Sequence, residues 1–277
     1  MTKVALVILF NHHYPKNIEK LENIYNSRFK DIYYLVPFYK GNKKNVIAVY
    51  DNSYYFNGFI AQGYKFFQKD KYIHYLFLQD DVLLNYDINE NNYMEYFNLD
   101  EKSSYMRDLG TICSLEYTTP WPFYQEALEW RIKQPGLEIE NFLPSYNDAV
   151  ERFKLNGLKI TNLKNKEGKE VKQYPFAGGL ADISIVSSQD IENFVYYCGI
   201  FSATKLFVEI ALPTALILSS KNIKNNSRKG TAYVLWNEDR NKLFEACDGK
   251  ISNLKNLMAK NNYLFTHPVK LSKWLLD

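Results

Sequence analysis

Four short segments hold residue types that do chemistry. The first is Leu76-Phe77-Leu78-Gln79-Asp80-Asp81-Val82, where an apolar run ends in two adjacent acids. Neighbouring carboxylates repel each other and lose hydration at a strand end, so a cation is their natural partner. Mg2+ or Mn2+ takes hard oxygen ligands and commonly bridges a protein acid to a diphosphate. The same pair also fits a capped strand end that water solvates, and alone it does not separate the two readings. The second segment is Tyr174-Pro175-Phe176-Ala177-Gly178-Gly179-Leu180-Ala181-Asp182. Paired glycines let a ligand approach the backbone closely, and they equally serve a tight turn at positive φ. The third is Glu209, the only acid within Leu206–Pro213. A partly buried carboxylate has a raised pKa and can act as a general base. An acid on the solvent face, or one paired with Lys205, would give the same pattern. The fourth is Thr266-His267-Pro268, which holds one of the chain's four histidines. A histidine beside two acids would complete a metal site, although a lone histidine is more often structural or exposed.

The elements that must position these residues alternate over the first 85 positions. Val4–Phe10 is a continuous apolar run, the mark of a strand buried on both faces. Ile18–Phe29 has apolar residues at helical spacing, and Ile32–Pro37 and Val46–Tyr50 follow as strands. Tyr54–Phe67 reads as a helix carrying Gly58 and Gly63, and Tyr72–Leu78 as a strand running into the acids. Repeated strand–helix–strand units predict an α/β fold with a parallel sheet. Right-handed crossovers then place the loops along one edge, the carboxyl edge, where such sheets bind ligands. Further on, the pattern predicts helices at Asn91–Phe97, Glu101–Leu109, Phe123–Ile132, Ile191–Phe201, Phe207–Leu218, Asn253–Lys260 and Lys270–Leu276. It predicts strands at Thr111–Leu115, Ala181–Val186 and Tyr263–Thr266, and a hairpin joining Leu158–Leu163 to Lys169–Tyr174. Ser187 with Asp190 resembles a capping box, and Ser252 is a candidate N-cap. Residues 221–230 are polar and basic, as in a solvated loop or a lid over an anionic ligand. No internal repeat or domain boundary is visible.

The chain has 277 residues, 46% of them hydrophobic and 23% charged, which suits one folded domain with a core. Its 34 basic and 31 acidic residues leave a net charge of +3. That balance excludes a dedicated nucleic-acid binder and leaves a membrane-surface patch open. Cys113, Cys198 and Cys247 are scattered, so no disulfide framework or CxxC metal pair is expected. The opening apolar run is too short for a signal peptide, and no stretch approaches the ~18 apolar residues of a membrane span. The expectation is a soluble, cytoplasmic protein. Aromatic content is 16%, and Asn, Lys, Ile and Tyr recur as codon bias in an AT-rich genome would produce.

Taken in order, strand–Asp51-Asn52-Ser53, strand–Gln79-Asp80-Asp81, Gly178-Gly179, an acid in a later helix and a late His-Pro resemble the GT-A fold of nucleotide-sugar-dependent glycosyltransferases. The resemblance spans nearly the whole chain. It implies a Rossmann-type mixed, mostly parallel sheet flanked by helices in a single domain. Residues 1–85 would form the nucleotide-binding half, and residues 86–277 the acceptor-binding half. It implies Mn2+ or Mg2+ held by Asp81 and His267 with help from Asp80. Gln79 departs from the acid that usually opens the family's metal motif. Gly178 and Gly179 would lie beside the donor sugar. Glu209 would be the base of an inverting transfer, with Asp182 as the reserve base. Asn11, His12 and Asp51 would meet the uracil and ribose of a UDP-sugar, and Asn57 and Gly58 the diphosphate. Trp121 and Tyr124 would stack on an acceptor sugar or pack in the core. The implied acceptor is a saccharide or lipid-linked saccharide of bacterial surface polysaccharide or lipopolysaccharide assembly. Lys255, Lys260, Lys270 and Lys273 with Trp274 would make a peripheral membrane contact or an ordinary solvated face.

Other classes fit less well. Gln79 in place of an acid favours a catalytically silent nucleotide-sugar or glycan-binding module. A sugar-phosphate nucleotidylyltransferase needs a glycine-rich basic loop after the first strand, where Asn11-His12-His13-Tyr14-Pro15 stands. A metal-dependent phosphatase would want more histidines than four, and a dehydrogenase would want G-x-G-x-x-G after the first strand.

Overall fold

The computed structural model describes residues 3–112, 139–160, 163–164, 170–171, 174–225, 227, 229–235, 239 and 241–276. Strands β1 (Val4–Leu9), β2 (Ile32–Pro37), β3 (Val46–Val49) and β4 (His74–Gln79) are parallel neighbours in the order β4-β1-β2-β3. All six residues of β1 are buried, because the unbroken VALVIL run has a packed layer on either side. Helix α1 (Asn17–Tyr25) crosses from β1 to β2, and α2 (Phe56–Phe67) from β3 to β4.

The remaining strands are β5 (Leu83–Leu84), β6 (Ser104–Met106), β7 (Gly110–Thr111), β8 (Leu163–Lys164), β9 (Glu170–Val171), β10 (Ala177–Gly178), β11 (Ile183–Ser187), β12 (Ile223–Lys224), β13 (Thr231–Val234) and β14 (Tyr263–His267). Three of them complete a seven-stranded sheet in the order β12-β6-β11-β4-β1-β2-β3. Of these strands β11 alone runs against the others, antiparallel to both β4 and β6. Ile183 therefore faces Leu78, and the residue before it, Asp182, lies at the carboxyl end of β4. A smaller sheet, β13-β14-β5, pairs Thr266 with Leu83 and brings the end of β14 to the same edge.

The other helices are α3 (Tyr93–Tyr96), α4 (Tyr146–Leu155), α5 (Ile191–Ala203), α6 (Val208–Ser219), α7 (Lys242–Ala246) and α8 (Ile251–Asn261). Alternation along β1 divides the core in two. Ala5, Val7 and Leu9 pack with α2, α5 and α6, whereas Val4, Leu6 and Ile8 pack with α1 and α8. Gly58 serves this packing. A Cβ there would lie 2.5 Å from Ser202 Oγ on α5.

Several expectations change. Glu101–Leu109 is not a helix. Ser104–Met106 within it is wholly buried in the sheet, where pairing with β11 overrides local propensity. The Asn91–Phe97 helix shrinks to four residues, and Asn98 turns the chain at φ 56°. Lys270–Leu276 forms successive turns instead of a helix, with Lys20 Nζ donating to the Leu271 and Trp274 carbonyls at 2.6 Å each. Trp274 is buried edge-on against Phe244, so it is not a membrane anchor. Ser252 lies inside α8, whose cap position is Lys250. Asp190 makes no side-chain cap and instead accepts hydrogen bonds from Ser187 Oγ (2.8 Å) and Ser104 Oγ (3.1 Å). Residues 223–224 of the expected lid join the sheet edge as β12. Trp121, Tyr124, Cys113 and the Phe123–Ile132 helix lie outside the described residues. No helix among the described residues is long and apolar enough to cross a membrane.

Phe77, at the middle of β4, is 1% exposed and contacts the rings of Phe67 and Phe194 with centroids 6.1 and 6.0 Å away. Phe77→Ala is expected to cost about 3–5 kcal/mol. The urea midpoint relative to the unsubstituted chain measures that loss.

Candidate active site

The site begins at the adjacent carboxyl ends of β1 and β4. Asn11 follows β1 and joins the strand ends. Its backbone N–H donates to Asp80 Oδ1 (2.9 Å), and its Nδ2 donates to Asp81 Oδ1 (2.9 Å) and to Gln79 Oε1 (3.4 Å). Gln79 Nε2 donates to the Ala181 carbonyl (3.2 Å), so its amide secures the loop before β11. Asp80 is buried, and burial first and the neighbouring Asp81 second push its pKa well above the usual carboxylate range.

His267 ends β14. The β14–β5 pairing and a hydrogen bond from Val269 N–H to the Asp81 carbonyl (2.6 Å) bring it to Asp81. Its ring lies between two acids, with Nε2 3.6 Å from Asp81 Oδ1 and Nδ1 3.8 Å from Asp182 Oδ1. Burial opposes the charged ring, but Asp81, Asp182 and Glu209 together outweigh it and raise the pKa. Asp182 is 1% exposed, and burial raises its pKa while His267 tempers the rise. Its Oδ2 is buried with no hydrogen-bond partner among the described residues.

Glu209 sits in the first turn of α6. Burial, followed by the charge of Asp182, pushes its carboxyl up to about 8 from 4.5, against the pull of His267. The backbone of Gly179 donates to the Glu209 carbonyl at 3.2 Å.

These groups surround a cleft of about 310 Å³ lined by Asn11, His12, Gln79, Asp81, Asp182, Glu209 and His267, with an aromatic wall of Tyr54, Phe56 and Phe207. The expected residues Asn11, His12, Asp81, Asp182, Glu209 and His267 are thus brought together. Asp80 is buried and is not part of the lining. Gly178 and Gly179 also stay out of it and shape the backbone behind Glu209. Asp51 and Gly58 are not in the lining either: Asp51 pairs with Lys205 (3.1 Å), and Gly58 admits α5. Lys270 is the only lysine or arginine in the lining among the described residues. Sequence reasoning assigned it to a helix face. Its place two residues beyond His-Pro was the available signal.

Oxygen and nitrogen donors of this kind suit Mg2+ or Mn2+, and the unpartnered Asp182 Oδ2 fits a cation or a ligand hydroxyl. No group of three or more His, Cys, Asp or Glu side chains already arranged to hold a metal ion occurs among the described residues.

No family model matches the sequence. No curated protein matches it either. Among solved structures, the chain is similar to a galactosyltransferase, LgtC, crystallised in complex with donor and acceptor sugar analogues. The identity is 8% and the TM-score 0.35, over 95% of this chain and 86% of that one.

Burial moves the midpoint of Glu209 proton release in the folded state to about pH 8, whereas the unfolded chain releases that proton near 4.5. Folding therefore loses stability from this group as pH rises across that window. Glu209→Gln is expected to match the unsubstituted chain in thermal midpoint below about pH 4.5 and to gain on it progressively towards pH 8. A difference that stays constant with pH would contradict a buried Glu209 carboxyl.

Proposed function

We propose that the protein transfers a sugar from a nucleoside diphosphate sugar, a UDP-sugar first among them, to a hydroxyl of a saccharide or lipid-linked acceptor, with inversion. The observation that carries this reading is the convergence of Asp81, His267, Asp182 and Glu209 on one cleft at the carboxyl edge of the sheet. Asp81 and His267 are the residues that would hold Mn2+ or Mg2+. When bound, the ion supplies a Lewis acid that offsets charge on the departing diphosphate.

The rest falls to the chain's own residues. Asn11 holds the Asp81 carboxylate in one orientation through its Nδ2 bond. Glu209, in its ionised form, takes the proton of the acceptor hydroxyl as that oxygen bonds to the anomeric carbon. The bond from that carbon to the diphosphate oxygen breaks on the opposite side. A carboxyl with a pKa of about 8 is a stronger base than an ordinary glutamate and is part-ionised near neutral pH. Asp182 is the second acid in reach and the reserve base. Tyr54 and Phe207, with ring centroids 5.8 Å apart, offer an apolar wall to the C–H face of a sugar. Lys270, at the cleft, would offer a positive charge to phosphate oxygens.

Two measurements test this reading. Glu209→Ala should leave donor binding intact while transfer falls by roughly 10²–10⁴-fold, and near-normal transfer would rule out Glu209 as the base. UDP at ~100 times its dissociation constant adds ~2.7 kcal/mol and should raise the thermal midpoint by several degrees in the presence of Mn2+. Chelator or His267→Ala should abolish the rise, and no rise with UDP, GDP or CDP would end the donor-site reading.

A further inference from the structure

A proline inside a helix leaves one carbonyl without its amide. Pro213 is the sixth residue of α6, so the Glu209 carbonyl, four positions earlier, lacks the regular N–H donor of a helix. The missing donor comes from outside: it is Gly179 N–H, at 3.2 Å. The next residue repeats the exchange. Thr214 is fully buried, and a helix threonine can bond back to the carbonyl four residues earlier. Here its Oγ1 instead accepts Ala177 N–H at 3.0 Å and lies 3.4 Å from the Ala177 carbonyl, to which it donates. Glycine eases this approach, since a Cβ on residue 179 would stand 3.3 Å from Pro213 Cγ and 3.1 Å from Leu109 Cδ2, closer than ordinary contacts. The Ala177–Gly179 backbone is thereby fastened to α6 at two successive points. Asp182 follows three residues after one end of this joint, and Glu209 is itself the other end. Neither Pro213 nor Thr214 lines the cleft.

We propose that Pro213 and Thr214 are positioning residues that hold Asp182 and Glu209 at a set separation across the cleft. Their catalytic consequence rests on the glycosyl-transfer reading above, but the joint itself does not. Asp182 is also anchored on its other side, where its carbonyl accepts Gln79 N–H at 3.2 Å. Loosening the α6 side therefore lets the two acids move relative to each other without detaching Asp182 from β4.

The test uses the full chain with Thr214→Val, which keeps the shape and removes the hydroxyl, and Thr214→Ser, which restores it. Pro213→Ala is added because its new N–H competes with Gly179 for the Glu209 carbonyl. Amide hydrogen exchange over residues 176–182 and 208–214 needs no activity. Thr214→Val and Pro213→Ala should speed exchange in the first segment roughly five- to tenfold, the effect of about one hydrogen bond, while Thr214→Ser stays at the original rate. In UDP-sugar turnover, Thr214→Val should lower kcat by a similar factor, with donor KM within twofold and Thr214→Ser restoring kcat. Unchanged exchange in Thr214→Val overturns the joint. Faster exchange with unchanged kcat overturns the positioning role. If the unsubstituted chain turns over no nucleotide sugar while exchange still rises, the glycosyl-transfer reading fails and the joint is upheld.

Discussion

Four carboxyl groups, those of Asp80, Asp81, Asp182 and Glu209, crowd one end of an apolar sheet, and three of them, Asp81, Asp182 and Glu209, act on the His267 imidazole. Like charges at this density, with little water to separate them, oppose folding. The fold answers in three ways. Burial keeps protons on Asp80, Asp182 and Glu209 to higher pH than usual. Asn11 gives one donor to Asp80 and another to Asp81. His267 stands between Asp81 and Asp182, its own proton held more tightly by both. A ligand that brings positive charge or hydroxyl donors would relieve the same repulsion.

Reversal of β11 is what makes this crowding geometrically available. In an all-parallel sheet the neighbour of β4 would deliver its own carboxyl end to the cleft, with a loop leaving it. Because β11 runs the other way, it delivers its amino end, and Asp182 enters the cleft from a segment still tied to Gln79. The loop before β11 can then rest on α6, which explains why a glycine pair, a helix proline and a buried threonine occur together at this joint.

The parallel half of the sheet was legible in the sequence because runs such as VALVIL and HYLFLQ are apolar enough to stand alone. Among the shortest strands, the β8–β9 pair was legible as a hairpin, but β6 and β10 were not, since they are too short to show a period and exist through their partners. At the site, residue chemistry picked out Asp81, Glu209 and His267, and the family resemblance added Asp182. Their meeting rests on registers between segments far apart in sequence, Ile183 with Leu78 and Thr266 with Leu83, which no local pattern encodes. Gly58 shows the opposite failure. A glycine in a helix looks the same whether a ligand or another helix approaches it, and here the neighbour is Ser202.

The arrival of His267 has a temporal side. Asp80 and Asp81 close the early β-α-β half of the chain, whereas their imidazole neighbour comes from β14, near the other end of the sequence. During synthesis, from the amino terminus onward, the β1–β4 region emerges before β14, so its acids can face water before His267 reaches them. The cleft is assembled when β14 docks on β5 and Val269 reaches the Asp81 carbonyl. A chain that folds its β1–β4 region before β14 docks would therefore hold the two adjacent acids on an incomplete cleft, and the site would be completed only by the last strand of the sequence.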